Sequence, residues 1–155
     1  MLDNGWENRR VQVQGLQTNV ELSKGARVEG QYGLKMSVTG RSDADTIETT
    51  PLWIASGPVT VKPGNLVRIH GWVRIDRPIA NGRSGLLITD TQGGPELAER
   101  IEATEGWQEF ALYRAASRSS KVQVKFELTG VGEVLLDEIT IRTIPLKPGP
   151  RQALR

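Results

Sequence analysis

The 155-residue chain has no cysteine. That excludes disulfide frameworks, thiolate zinc sites and a cysteine nucleophile. It does not exclude export, because a chain of this size buries enough surface to fold without cross-links. Only one histidine is present, His70, so multi-histidine metal centres are excluded as well. Excess charge is small: 20 basic against 18 acidic side chains, a formal +2. Nucleic-acid binding relies on clustered Lys and Arg that neutralise phosphates, and the sequence implies no such partner. No run approaches the ~18–20 apolar residues of a membrane span, and no signal peptide is visible. The P-loop, the dinucleotide fingerprint, the EF-hand loop and the Gly-x-Ser-x-Gly elbow are all missing. Aromatic residues make up only 5% of the chain, so the rings on which a ligand can stack are few.

Glycine and proline are plentiful, with 17 and 8 copies. They suit short strands joined by turns and not a helical bundle. Period-two alternation is the dominant pattern. In Leu66–Asp76, Val67, Ile69, Gly71, Val73 and Ile75 point one way, and Leu66, Arg68, His70, Trp72, Arg74 and Asp76 the other. Similar alternation marks Leu34–Val38, Glu109–Tyr113 and Val122–Leu128. Further strands are expected at Arg10–Gln14, Val20–Leu22, Leu52–Ile54, Gly57–Val61, Gly85–Thr91 and Glu133–Thr143, and one helical turn at Pro95–Arg100. Turn signals separate them, among them Pro63-Gly64-Asn65, Asn81-Gly82 and Gly93-Gly94-Pro95. About ten strands at this spacing predict an all-β fold, an antiparallel β-sandwich of jelly-roll type. The domain is expected to span residues 3–144. Residues 145–155, rich in Pro and basic side chains, read as a flexible tail or linker.

Four segments, taken in order, resemble a known family. They are Asn4-Gly5-Trp6-Glu7, Glu29–Met36, Val61–Val67 running into Gly71-Trp72-Val73-Arg74, and Gly106–Phe110 followed by Leu136-Asp137-Glu138-Ile139. Together they are similar to the galactose-binding-like β-jelly roll, and within it to the carbohydrate-binding modules of families four, nine and twenty-two. The resemblance covers residues 4–142. The same fold hosts sugar binding, protein binding and plain structural roles, so function has to be argued from the site.

Asp137 falls in the last strand, where period two gives it the face of Leu135, Ile139 and Ile141. A carboxylate turned toward a core needs partners. It can accept backbone N–H bonds, pair with an arginine, or ligate a hard cation with oxygen ligands. The resemblance implies the last of these: a structural Ca2+ held by Glu7 near the chain start and by Asp137, with backbone oxygens near Gln31–Lys35 completing the shell.

The outward face of Leu66–Asp76 carries Arg68, His70, Trp72 and Arg74. If the strands at Trp107–Arg114 and Lys121–Thr129 join the same sheet, Glu109, Tyr113, Gln123, Lys125 and Glu127 extend that face. An aromatic ring stacks on the apolar C–H face of a pyranose while charged and amide groups bond its hydroxyls. The expectation is therefore non-catalytic binding of a poly- or oligosaccharide, with Trp72 and Tyr113 stacking and Arg68, His70, Arg74, Glu109, Gln123 and Lys125 as hydrogen-bonding partners. In the resembling modules the ligand lies across a sheet face. Trp53 is a further candidate platform, or else a core aromatic; Trp6 and Trp107 read as packing. Two other readings stand beside this one. The domain is a structural or protein-interaction accessory unit of a larger extracellular or cell-envelope protein, or it is a jelly-roll polysaccharide lyase using His70, Tyr113, Arg68, Arg74, Gln123 and Lys125. A glycosidase needs two convergent carboxylates at a set separation, and no such pair is identifiable.

Overall fold

A computed structural model describes residues 5–24, 32–43, 45–116 and 120–146. Among them lie twelve strands: β1 (Glu7–Arg10), β2 (Leu16–Ser23), β3 (Gly33–Gly40), β4 (Leu52–Ala55), β5 (Val59–Val61), β6 (Asn65–Arg74), β7 (Leu86–Asp90), β8 (Glu99–Ile101), β9 (Gln108–Ala115), β10 (Ser120–Val122), β11 (Val124–Leu128) and β12 (Gly132–Pro145). A single 3-10 turn, Pro95–Leu97, precedes β8. No helix among the described residues is long and apolar enough to cross a membrane.

The strands form two five-stranded sheets and a two-stranded ribbon. The first sheet has the order β1-β4-β11-β7-β8, the second β2-β3-β12-β6-β9, and the ribbon joins β5 to β10. Every pairing between these strands is antiparallel. The architecture is the antiparallel β-sandwich that alternation predicts. In β6 Val67, Ile69 and Val73 are fully buried while Arg68, His70, Trp72 and Arg74 are half-buried on the other face. The inward side chains of both sheets make one core. Phe110 of the second sheet meets Phe126 of the first edge-on, with centroids 5.8 Å apart, and Trp6 stacks on Phe126 at 6.3 Å. Burying side chains of this size stabilises by ~1.5–3 kcal/mol each. Gly71 sits in the inward series because a Cβ there would come within 2.9 Å of the Phe110 ring and would collide with the Ile139 side chain.

Four expectations are corrected. The first strand runs Glu7–Arg10, not Arg10–Gln14, because Glu7–Arg10 pairs along β4. Val122–Leu128 is not one strand. It breaks at Gln123, so that β10 pairs with β5 while β11 enters the first sheet between β4 and β7. Glu99–Ile101, expected at most to close a helical turn, pairs with β7 as an edge strand. Pro145 is the last residue of β12. Most of the expected tail, from residue 147 onward, lies outside the described residues, as do Glu29, Gly30 and Gln31.

The phase of β12 also differs. Its register against β6 shifts between Asp137 and Thr140, and Glu138 adopts a positive φ of 51°. Such a bulge inserts an extra residue and flips the alternation downstream. Val134 and Leu136 therefore face the core before the bulge, and Ile139 and Ile141 pack against it afterward. Leu135 lies on the outer face, not on that of Ile139 and Ile141. Asp137 stands at the phase break, 8% exposed, and its Oδ1 accepts the Glu138 N–H at 2.8 Å.

Candidate functional site

The sandwich has two outer faces, and the candidate residues are divided between them. Because β9 pairs with β6, Glu109 and Tyr113 join Arg68, His70, Trp72 and Arg74 on the second sheet. Because β11 pairs with β4 and β7, Lys125 joins Trp53 on the first. Gln123, between β10 and β11, lines the same concavity as Trp53 and Lys125. The single face expected from the sequence is thus split in two. The residue types proposed for lyase chemistry are split with it.

On the first sheet the register aligns Arg9, Trp53, Glu127, Leu87 and Arg100 in one row across all five strands. The next row on that face holds Glu7, Ala55, Lys125 and Thr89. Trp53, Leu87, Lys125 and Glu127 are half-buried, and they line a groove of about 350 Å³. Gly94 and Pro95 from the loop before β8 and Gln123 form part of its wall. The Lys125 ammonium lies 4.5 Å from the Trp53 ring centroid and 3.3 Å from a Glu127 carboxylate oxygen. A cation over an aromatic face is held by the ring quadrupole. The Gln123 amide donates to the Ser56 carbonyl at 3.0 Å.

Asp90 anchors the groove at the end of β7. Its carboxylate is buried yet fully engaged. Oδ1 accepts the N–H groups of Gln92 and Gly93 at 3.0 and 2.7 Å, and Oδ2 accepts Arg114 Nε at 3.0 Å. Arg114 comes from β9 of the second sheet, so this ion pair ties the two sheets together. The loop before β8 is held by the same guanidinium, which donates to the Leu97 carbonyl at 3.0 Å. Leu87, Thr89 and Asp90 were not expected as site residues. The alternation within Gly85–Thr91 was the signal that could have found them.

On the second sheet the charges pair with one another. Arg68 Nε donates to the Tyr113 hydroxyl at 3.1 Å, His70 Nε2 lies 2.5 Å from Glu109, and Arg74 Nε donates to Asp76 at 2.7 Å. Trp72 is met edge-on by His70, with centroids 6.4 Å apart. Tyr113 is 53% exposed. Lys35 contacts Glu21 at 3.0 Å and Glu133 at 3.7 Å. The hydrogen bond to Glu21 and the negative charges of both glutamates raise its pKa above the usual 10.5. A cleft of about 480 Å³ opens at the Arg74 end of this face, and no aromatic residue contributes to its lining.

The two carboxylates of the calcium expectation belong to strands of different sheets. Glu7 lines the groove of the first sheet, whereas Asp137 belongs to the second. Among the described residues no group of three His, Cys, Asp or Glu side chains gathers as a metal site. The expected shell is two carboxylates and backbone oxygens near Gln31–Lys35, and Gln31 lies outside the described residues.

No family model matches the chain, and no curated protein matches it. Solved structures do. A family 4 carbohydrate-binding module superposes with a TM-score of 0.60 at 15% identity, covering 91% of this chain and 90% of that one. The CBM22-1 xylan-binding domain from Paenibacillus barcinonensis Xyn10C gives 0.51 at 17% identity, over 94% and 89%. The CBM22-1–GH10 modules of Clostridium thermocellum Xyn10B, solved with xylohexaose, give 0.56 at 14% identity, over 98% of this chain and 28% of that one. At these identities the likeness establishes the fold, the β-sandwich of carbohydrate-binding modules.

Proposed function

We propose that the protein is a non-catalytic carbohydrate-binding module whose groove on the first sheet holds an oligo- or polysaccharide. The observation that carries this reading is the Trp53 ring in a groove that also gathers Lys125, Glu127 and Gln123. The indole face and Leu87 offer apolar surface to the C–H face of a pyranose. Lys125 and Glu127, already paired, supply a donor and an acceptor for hydroxyls once the ammonium moves off the ring. A mostly apolar concavity with a few convergent polar groups is the usual form of a small-molecule site. The Arg9–Arg100 row crosses five strands, roughly 20 Å at about 4.8 Å per strand, a span that suits a polymer better than one sugar. The named solved structures support the same reading: one is a xylan-binding domain and another is a complex with xylohexaose. Lyase chemistry has less support, because Gln123 and Lys125 stand on the opposite face from His70, Tyr113, Arg68 and Arg74.

Isothermal titration with xylohexaose and a panel of plant and bacterial glycans tests the proposal. Trp53→Ala should weaken binding at least about 30-fold, as expected for a central aromatic anchor, while Trp72→Ala leaves it unchanged. The reverse pattern would move the site to the second sheet. Failure of every glycan to bind would favour the accessory-domain reading.

A further inference from the structure

We infer that the cleft on the second sheet is a separate site for one carboxylate-bearing pyranose unit. It lies where β3, β6 and β12 meet, on the face opposite the Trp53 groove. At about 480 Å³ it falls within the range of small-molecule sites. Leu135, turned outward by the phase of β12, gives it an apolar surface between Lys35 and Arg74. Ser37 and Thr39 bring hydroxyls that both donate and accept. Arg74 and Asp76, held together at 2.7 Å, present a donor and an acceptor side by side, the arrangement that two neighbouring sugar hydroxyls require.

The charges in the lining decide what kind of sugar fits. Arg74 pairs with Asp76, and Glu133 contacts Lys35, which it shares with Glu21. Arg77 also lines the cleft, and among the described residues it makes no ion pair. A guanidinium without an ion-pair partner is open to an anion, and its planar fork matches a carboxylate with two parallel N–H bonds. A uronic-acid unit supplies that carboxylate, a ring of hydroxyls and an apolar face in a single residue.

The test is an NMR titration of the 15N-labelled chain with methyl β-glucuronide, run beside methyl β-glucoside and inorganic sulfate. The expected result is amide shifts at Ser37, Thr39, Gly132 and Glu133 with the glucuronide, at lower concentration than with either control. Arg77→Gln should weaken that binding about tenfold, the scale of a lost charge-assisted contact. Arg77 is exposed, so this variant should fold. Trp53→Ala should leave these shifts unchanged, which separates this site from the groove. Glucoside binding as tight as glucuronide binding would overturn the proposal, as would sulfate binding equally well. Shifts confined to Trp53 and Leu87 would also overturn it.

Discussion

The first sheet and the second present outward faces made by the same alternation, but they spend their polar groups differently. On the second, Arg68, His70, Arg74 and Lys35 each find a partner on the same face. Its aromatics, Trp72 and Tyr113, are outside the lining of the cleft at the Arg74 end. On the first, the aromatic Trp53 is inside the concavity, and charged groups converge on it. A face rich in Arg, His and Trp is therefore not yet a site. What distinguishes the groove is that ring, charge and concavity coincide, because a ligand gains stacking and hydrogen bonds only where it can reach both together.

The strongest way to break this comparison is to cut the tie between the sheets. Arg114→Met leaves the buried Asp90 carboxylate without its cation, which should cost about 3–5 kcal/mol in stability. Denaturant unfolding measures that loss. Since Asp90 lines the groove and Arg114 holds the Leu97 carbonyl, glycan affinity at the groove should fall too, while binding in the Arg77 cleft persists. A stability loss with groove affinity intact would show that the ion pair serves the fold alone.

A smaller effect is expected from Gly71→Ala, which pushes a methyl group between Phe110 and Ile139 behind the second face. Overpacking of this kind costs about 1–3 kcal/mol. Thermal melts should show the loss, with titration at the groove unchanged. The smallest effect concerns Lys35. Its folded-state pKa is raised, so its contribution is complete below the unfolded value and fades as pH rises through the folded one. The difference in melting temperature between the native chain and Lys35→Met should therefore shrink once pH passes 10.5. A difference that stays constant across that range would remove the charge-based account of the Lys35 cluster.

Much of the strand pattern was legible in the sequence. Leu66–Asp76 shows which residues face in and which face out, and β6 obeys it. Trp53 was legible as a candidate platform but not as the centre of a groove. Other features were hidden for physical reasons. The edge strand β8 is only three residues long and two of them are exposed, so period two has too little to act on. The break at Gln123 is a choice of pairing partner and not a change of composition. The bulge at Asp137–Thr140 reverses the alternation with no glycine or proline to mark it.

The sequence by itself determined the class of fold and the inner and outer sides of most strands, because side-chain alternation is a local property of the extended backbone. It also determined the absence of cysteine chemistry. Only the tertiary structure decided that β9 and β11 belong to different sheets, that Lys125 and Gln123 therefore sit with Trp53, and that Arg114 reaches Asp90 across the sandwich. Strand pairing is set by contacts between residues far apart in the chain, such as Glu127 beside Trp53 and Leu87, and no local pattern records which strands will be neighbours.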